Sequence, residues 1–583
     1  MPYPLDATQA VTADSPNDPR TGREMSRTGV VRTPRLLIAS RDLAVLRGHY
    51  EDVIVALAAA GVDISIRYVH EQGLSAESFL EILRRRGATV EVNPLPRRKR
   101  DAGERFALRL RQLANLLRFQ HGDFRGREWL RDERFVKAAP GPRKWATRLG
   151  RLGSRTSLLA IGAIAKVDRL LPPSVDARHL IASERPDAVV AVAVIRTPEF
   201  VDLVKAAAWE GLATASWVQS WDNLSSKGLL HVAPDKVFVW NAIQREELGR
   251  YHGVPASHVC ITGAQTFDHW FDGEEPSSRD DFCKANDLDP ALPILLYLAS
   301  SRQVETSPDD FFLGWLKAIR GSGLPALERA SVVVRPHPTS VHPWLGLEHP
   351  RVAVSPVTSA VPINSPEFRR RYRDELQHAS VAVALNTSGM IDAAIFGKPV
   401  CTIELPELAH VQRGTVHFEY LSTVAGGLLR SASTLDEHAR ILDGLIERDP
   451  YARDERSSSF VREFVRPHGI DIAPATVFAN EMLRLLRTRS SLGRPGSVAR
   501  TVGELVHRAA PVLGAPLEHR RPSQPGGLLW KSLKRRRKAI RRWRKTLKKK
   551  TERQRRLLLQ LLRVGRTRAA WSDPGDGGHA RGD

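Results

Sequence analysis

The chain has 583 residues and only three cysteines, Cys260, Cys283 and Cys401. Three isolated thiols cannot make a disulfide framework, and no paired Cys/His spacing suggests zinc, so a reducing compartment is expected and no metal site. No run of about eighteen uncharged apolar residues is present, so no bilayer-spanning helix is expected. The opening stretch MPYPLDATQAVTADSPNDPRTGREMSRTG lacks the apolar core of a signal peptide. The expected location is the cytoplasm. Also missing are the GxGxxG loop of dinucleotide enzymes and the GxxxxGK[ST] phosphate loop, which weakens dehydrogenase and P-loop readings. Acidic balance is lacking as well, because the formal charge is +23. That charge is uneven: sixteen Lys or Arg and one acid lie between Lys531 and Arg556, a net +15 that leaves +8 for the rest. The core is therefore free to bind a small anion without being a nucleic-acid protein.

A serial α/β pattern runs through what remains. Arg35 to Ser40 reads as a strand, Tyr50 to Leu57 as a helix behind a loop holding Gly48 and His49, and Ile64 to Val69 as the next strand. After an arginine-rich helical insertion at about 97–171, strands recur at Ala188 to Ala193, Thr214 to Val218 and Lys236 to Trp240. An acidic linker near Gly273 to Asp281 precedes a second series at Ile294 to Leu298, Ser331 to Val334, Val352 to Val354, Val381 to Leu385 and Val400 to Ile403. Unbroken apolar strands separated by helical periods belong to parallel sheets covered on both faces. The expected fold class is α/β, with two Rossmann-like doubly wound domains facing a cleft. Their bounds are 35–272 and 282–490, between a disordered 1–34 and a linker with a basic tail at 491–583.

Polar loops at the strand ends carry the candidate chemistry. Asn386-Thr387-Ser388-Gly389 follows a buried strand and precedes a short helix, an arrangement that suits a phosphate or diphosphate as well as an ordinary capped turn. Arg335-Pro336-His337-Pro338 holds a cation and an imidazole rigidly at another strand end, and Ser300-Ser301 lies at a third. In the first domain, Trp221-Asp222-Asn223 with Lys227 gathers an aromatic, an acid, an amide and a cation in one loop. Three groups could serve as a general base: Asp222 first, then His49 and His231.

These blocks, together with Gly397-Lys398-Pro399, resemble the GT-B glycosyltransferase superfamily over about residues 35–490, in particular its bacterial surface-carbohydrate members near the capsule and teichoic-acid transferases. The resemblance implies transfer of a sugar from a nucleotide diphosphate to an acceptor hydroxyl, without a cofactor or metal. It places donor binding on Arg335, His337, Asn386, Thr387, Ser388 and Gly389, with Ser300 and Ser301 nearby. Catalysis falls to Asp222, His337 and His49, and the acceptor side to Trp221, Asn223 and Lys227. Asp392 stands where relatives often carry a glutamate for the donor ribose. The alternatives are a polyol-phosphate transferase on the same fold and a non-catalytic binding module. The Trp-His-Gly block usual in the former is replaced here by Trp221-Asp222-Asn223.

The tail adds a partner. On a helical wheel over 528–563, Leu529, Leu533, Ile540, Trp543, Leu547, Leu558 and Leu561 fall on one face and the basic residues on the rest. A basic helix with such a stripe suits an anionic membrane surface better than nucleic acid, and so the inner face of the plasma membrane with a glycan or glycolipid acceptor.

Overall fold

The computed structural model describes residues 32–513, apart from positions 72, 97–99, 125, 193–194, 196, 303, 306, 309–310, 339 and 356–364. The expectations for 1–31 and for the basic tail lie outside the described residues.

Thirteen strands form two all-parallel sheets among these residues. The first contains β1 (Arg35–Asp42), β2 (Asp63–His70), β3 (Glu91–Pro94), β4 (Ala188–Val192), β5 (Ala213–Trp217), β6 (Lys236–Val239) and β7 (Val259–Ile261), in the order β3-β2-β1-β4-β5-β6-β7. The second contains β8 (Ile294–Leu298), β9 (Ser331–Arg335), β10 (Val352–Val354), β11 (Val381–Ala384), β12 (Val400–Ile403) and β13 (Leu429–Ala432), in the order β10-β9-β8-β11-β12-β13. Both are doubly wound, as two Rossmann-like units require, and each reverses direction once: between β1 and β4, and between β8 and β11. Every residue of β4, β8, β11 and β12 is buried, because helices cover both faces and the strands can be apolar throughout.

Three sequence expectations are corrected. The first helix begins at Leu43, not near Tyr50, because the Asp42 carboxylate accepts from Val45 N at 2.8 Å and caps it; Gly48 and His49 therefore sit on a helix rather than in a loop. Residues up to 490 were expected to belong with the second sheet, yet the helix Pro474–Leu485 packs Phe478, Met482 and Leu485 onto the first, where Phe478 stacks on Phe238 at 4.2 Å. Past the expected boundary at 491, the helix Ser497–Leu513 packs against the insertion helix Ala102–Leu117, with Gly103 leaving room for His507. Strands β3 and β13 are short, and their periodicity is too brief to read in the sequence.

Candidate functional site

A cavity of about 270 Å³ opens where the second sheet reverses, at the carboxyl ends of β8, β9 and β11. This is where a doubly wound sheet offers diverging loops to a ligand. Leu298 and Ala299 form its floor, Arg335 to Pro338 one wall, and Thr387 to Gly389 another. Gly48 and His49 face it from the first unit, and Thr266, Phe267, His269 and Trp270 from the segment between the two sheets.

Arg335 is 6% exposed and its guanidinium carbon lies over Tyr372, 3.7 Å from the ring centroid. One terminal nitrogen donates to Glu375 Oε2 at 2.8 Å; the other, Nη2, is buried and has no hydrogen-bond partner among the described residues. Half of this guanidinium is thus structural, holding a buried carboxylate, and half remains for a ligand. Arg369 adds a second cation from the helix Pro366–His378, and burial lowers its pKa. Gly389 has little room for a side chain: an added Cβ would stand 3.1 Å from Tyr372 Oη and 3.2 Å from Leu298 Cδ1, so these neighbours would have to give by a few tenths of an ångström. The Thr387 hydroxyl accepts from Gly389 N at 3.4 Å, whereas Ser388 makes no side-chain capping bond and is exposed to the opening.

The one carboxylate on the cavity wall is Asp392. It is already engaged, accepting from Trp270 Nε1 at 2.7 Å and Tyr372 Oη at 3.2 Å, and burial pushes its pKa up to about 6 despite those bonds. Three imidazoles complete the wall. Burial lowers His49 to about 4, with Arg369 adding to the effect, and His269 to about 3, and it lowers His337 as well. His49 Nε2 lies 3.4 Å from the Gln219 amide nitrogen, while Nδ1 is buried with no hydrogen-bond partner among the described residues. The balance of charge in the cavity is positive.

The other sequence candidates lie elsewhere. Asp222 is not among the residues lining this cavity. Its carboxylate pairs with Lys227 at 2.6 Å and accepts from Ser220 Oγ at 2.9 Å, Asn223 Nδ2 at 3.1 Å and Ser226 Oγ at 3.1 Å. Burial alone would raise its pKa, but Lys227 and His417 outweigh that and hold it well below the usual carboxylate range. Trp221 is buried and meets the His417 ring edge-on at 4.7 Å, so Trp221, Asp222, Asn223 and Lys227 form one knot against the helix Val416–Thr423 of the second unit. His231 feels the buried Asp168 and Arg111 of the insertion instead. Asn386 and Ser300 hold the loop rather than line the cavity: Asn386 N donates to Ser300 Oγ at 3.3 Å and Nδ2 to Val411 O at 2.5 Å. The Ser301 carbonyl accepts from Val304 N in a turn.

Sequence reasoning missed Arg369, Phe368, Tyr372, His269 and Trp270. Phe368 and Tyr372 are spaced i,i+4 in a strongly charged helix, and that pair of aromatics on one face was the available signal. Nothing in the sequence distinguished His269 and Trp270 from an ordinary linker. Among the described residues no group of three or more His, Cys, Asp or Glu is placed to hold a metal ion, and no helix is long and apolar enough to cross a membrane.

No family model and no curated protein sequence matches the chain. Among solved structures it is similar to a UDP-N-acetylglucosamine 2-epimerase of Neisseria meningitidis bound to UDP-GlcNAc, at 11% identity over 78% of this chain and 100% of that one, with a TM-score of 0.43. It is also similar to a putative UDP-N-acetylglucosamine 2-epimerase of Listeria monocytogenes (12%, 78% and 95%, TM-score 0.42) and to a glycosyltransferase of Rickettsia africae (10%, 78% and 98%, TM-score 0.42). Likeness at this level adds nothing to the topology seen directly in the two sheets.

Proposed function

We propose that the protein is a glycosyltransferase that moves a sugar from a nucleotide diphosphate to an acceptor hydroxyl. The observation that carries this reading is the cavity at the β8/β11 reversal, where Arg335 Nη2 and Arg369 face an opening whose single carboxylate is already hydrogen-bonded. Such a wall favours an anion of high charge density. In this reading Arg335, Arg369 and the Ser388 hydroxyl hold the diphosphate and stabilise the charge that develops as the sugar C1–O bond breaks. His49, neutral near pH 7, takes the acceptor proton at Nδ1 while the acceptor oxygen bonds to C1. For that, the Gln219 amide turns its carbonyl oxygen toward Nε2–H. A bound diphosphate places negative charge near His49 and raises its basicity when a base is needed. The acceptor is a glycan or glycolipid, and the basic tail holds the enzyme at an anionic membrane surface.

A polyol-phosphate transferase is the second reading. It is favoured by the one observation that Asp222, the carboxylate expected as base for glycosyl transfer, is tied to Lys227 away from the cavity. A thermal-shift screen tests both. A ligand at a hundred times its Kd stabilises by about 2.7 kcal/mol, so a UDP- or GDP-sugar that raises the melting temperature supports the first reading and a CDP-polyol the second. Indifference to every nucleotide diphosphate removes both.

A further inference from the structure

The insertion carries a surface that the cavity does not use. Between Ala138 and Leu171 there are seven Lys or Arg and one acid, Asp168. That acid is buried against Arg111 and Lys205, so every exposed charge on the segment is positive. On the helix Ser154–Leu170, Ser157, Ile164 and Asp168 face inward. The opposite face presents Arg155, Leu158, Leu159, Gly162, Ala163 and Lys166, all exposed and spaced by three or four residues, hence one stripe along the axis. Leu159 is 75% exposed, Leu158 45%, and Leu152, just before the helix, 68%. A Cβ added at Gly162 would meet nothing within 4 Å, so no described residue covers the middle of the stripe. Arg148, Arg151 and Arg169 are exposed beside it, and none of the three forms an ion pair among the described residues. An open apolar band rimmed by unpaired cations marks an interaction surface rather than an ordinary solvated one.

We propose that this face of the insertion docks on an anionic lipid surface, with Leu152, Leu158 and Leu159 entering the boundary between headgroups and acyl chains and the flanking cations meeting lipid phosphates. Charge complementarity selects the occupant. Nucleic acid would satisfy the cations but leave three leucines against water or phosphate, and a second copy of the chain would set like charge against like. These leucines and cations are available for this contact whatever reaction the cavity performs and whatever the tail binds.

The test uses the full chain carrying Leu533→Glu and Trp543→Glu, which disrupt the apolar stripe of the tail, and vesicles of phosphatidylcholine with or without phosphatidylglycerol. This chain is expected to co-sediment with the anionic vesicles and not with the neutral ones. Adding Leu158→Glu and Leu159→Glu should reduce the bound fraction at least about tenfold, and Arg151→Glu with Arg155→Glu should do the same. All four positions are exposed, so an unchanged melting temperature shows that the fold survives. Equal sedimentation with and without the leucine changes overturns the proposal. So does an absence of anionic-vesicle binding in the tail-substituted chain, or duplex DNA displacing the vesicles with the leucine changes having no effect on DNA binding.

Discussion

The loop after β5 resembles in sequence the loops after β9 and β11 taken together: both places put a cation, hydroxyls and an amide at the carboxyl edge of a parallel sheet. In the fold they diverge. Around Asp222 the charges cancel within one knot, with Lys227, Ser220, Asn223 and Ser226 taking the carboxylate oxygens. Around Arg335 they do not, because Glu375 occupies one nitrogen and the Nη2 group has no partner among the described residues beside an open cavity. A polar loop becomes a candidate ligand site when its donors outnumber its acceptors at short range, and no loop composition states that balance.

The strongest way to break this contrast is to remove Arg335. Arg335→Ala leaves Glu375, 4% exposed, as an uncompensated buried carboxylate, and the expected loss is about 3–5 kcal/mol in denaturant unfolding. Nucleotide affinity by calorimetry should fall with it. The double change Arg335→Met with Glu375→Met should recover most of the stability and none of the affinity. Nucleotide binding at the parental level in that double variant would take Arg335 out of the site.

The next largest effect separates the base candidates. His49→Gln should lower kcat by about two to four orders of magnitude with donor affinity nearly unchanged. Asp222→Asn should instead lower the melting temperature, since it breaks a partly buried ion pair, and leave turnover near the parental value. Large turnover loss in a fully stable Asp222→Asn protein would return the base to Asp222.

Gly389→Ala tests how tightly the cavity floor is built. Its Cβ must displace Tyr372 or Leu298, so about 1–3 kcal/mol of stability is expected to be lost, with nucleotide affinity falling alongside.

The smallest effect is in the pH profiles, where the buried histidines and Asp392 titrate in opposite senses. Acid destabilises through the histidines: His49 and His417 fall to about 4 when folded, so as pH drops from about 6.5 toward 4 the unfolded chain takes up protons that the folded chain refuses, and stability declines. Asp392 acts the other way. Its folded pKa of about 6 lies above the unfolded value, so its contribution is present below the unfolded pKa and fades as pH rises through about 6. Asp392→Asn should flatten that small decline in a melting series, and an unchanged slope would mean that Asp392 ionises normally. In kinetics the acid limb of kcat/KM should fall near pH 4 and that of kcat at higher pH, because the bound diphosphate raises His49.

Local patterning along the chain sets the two-sheet plan. Parallel strands buried on both faces must be apolar from end to end, and helices must alternate with them, so most strands and the polar loops after β9 and β11 could be read locally. It also determined that the insertion from 138 to 171 is basic. Pairing, by contrast, is set by the folded arrangement. Arg335 finds Glu375 forty residues away, and Asp222 meets Lys227 under His417. Asp392 is closed by Trp270 from 122 residues earlier, and the helix Pro474–Leu485 returns to the first sheet. Each of these sets whether a charge is spent within the fold or left for a ligand. Electrostatic energy depends on distances of a few ångströms and on the water excluded between the groups, and neither quantity is encoded in the order of residues along a short stretch of chain.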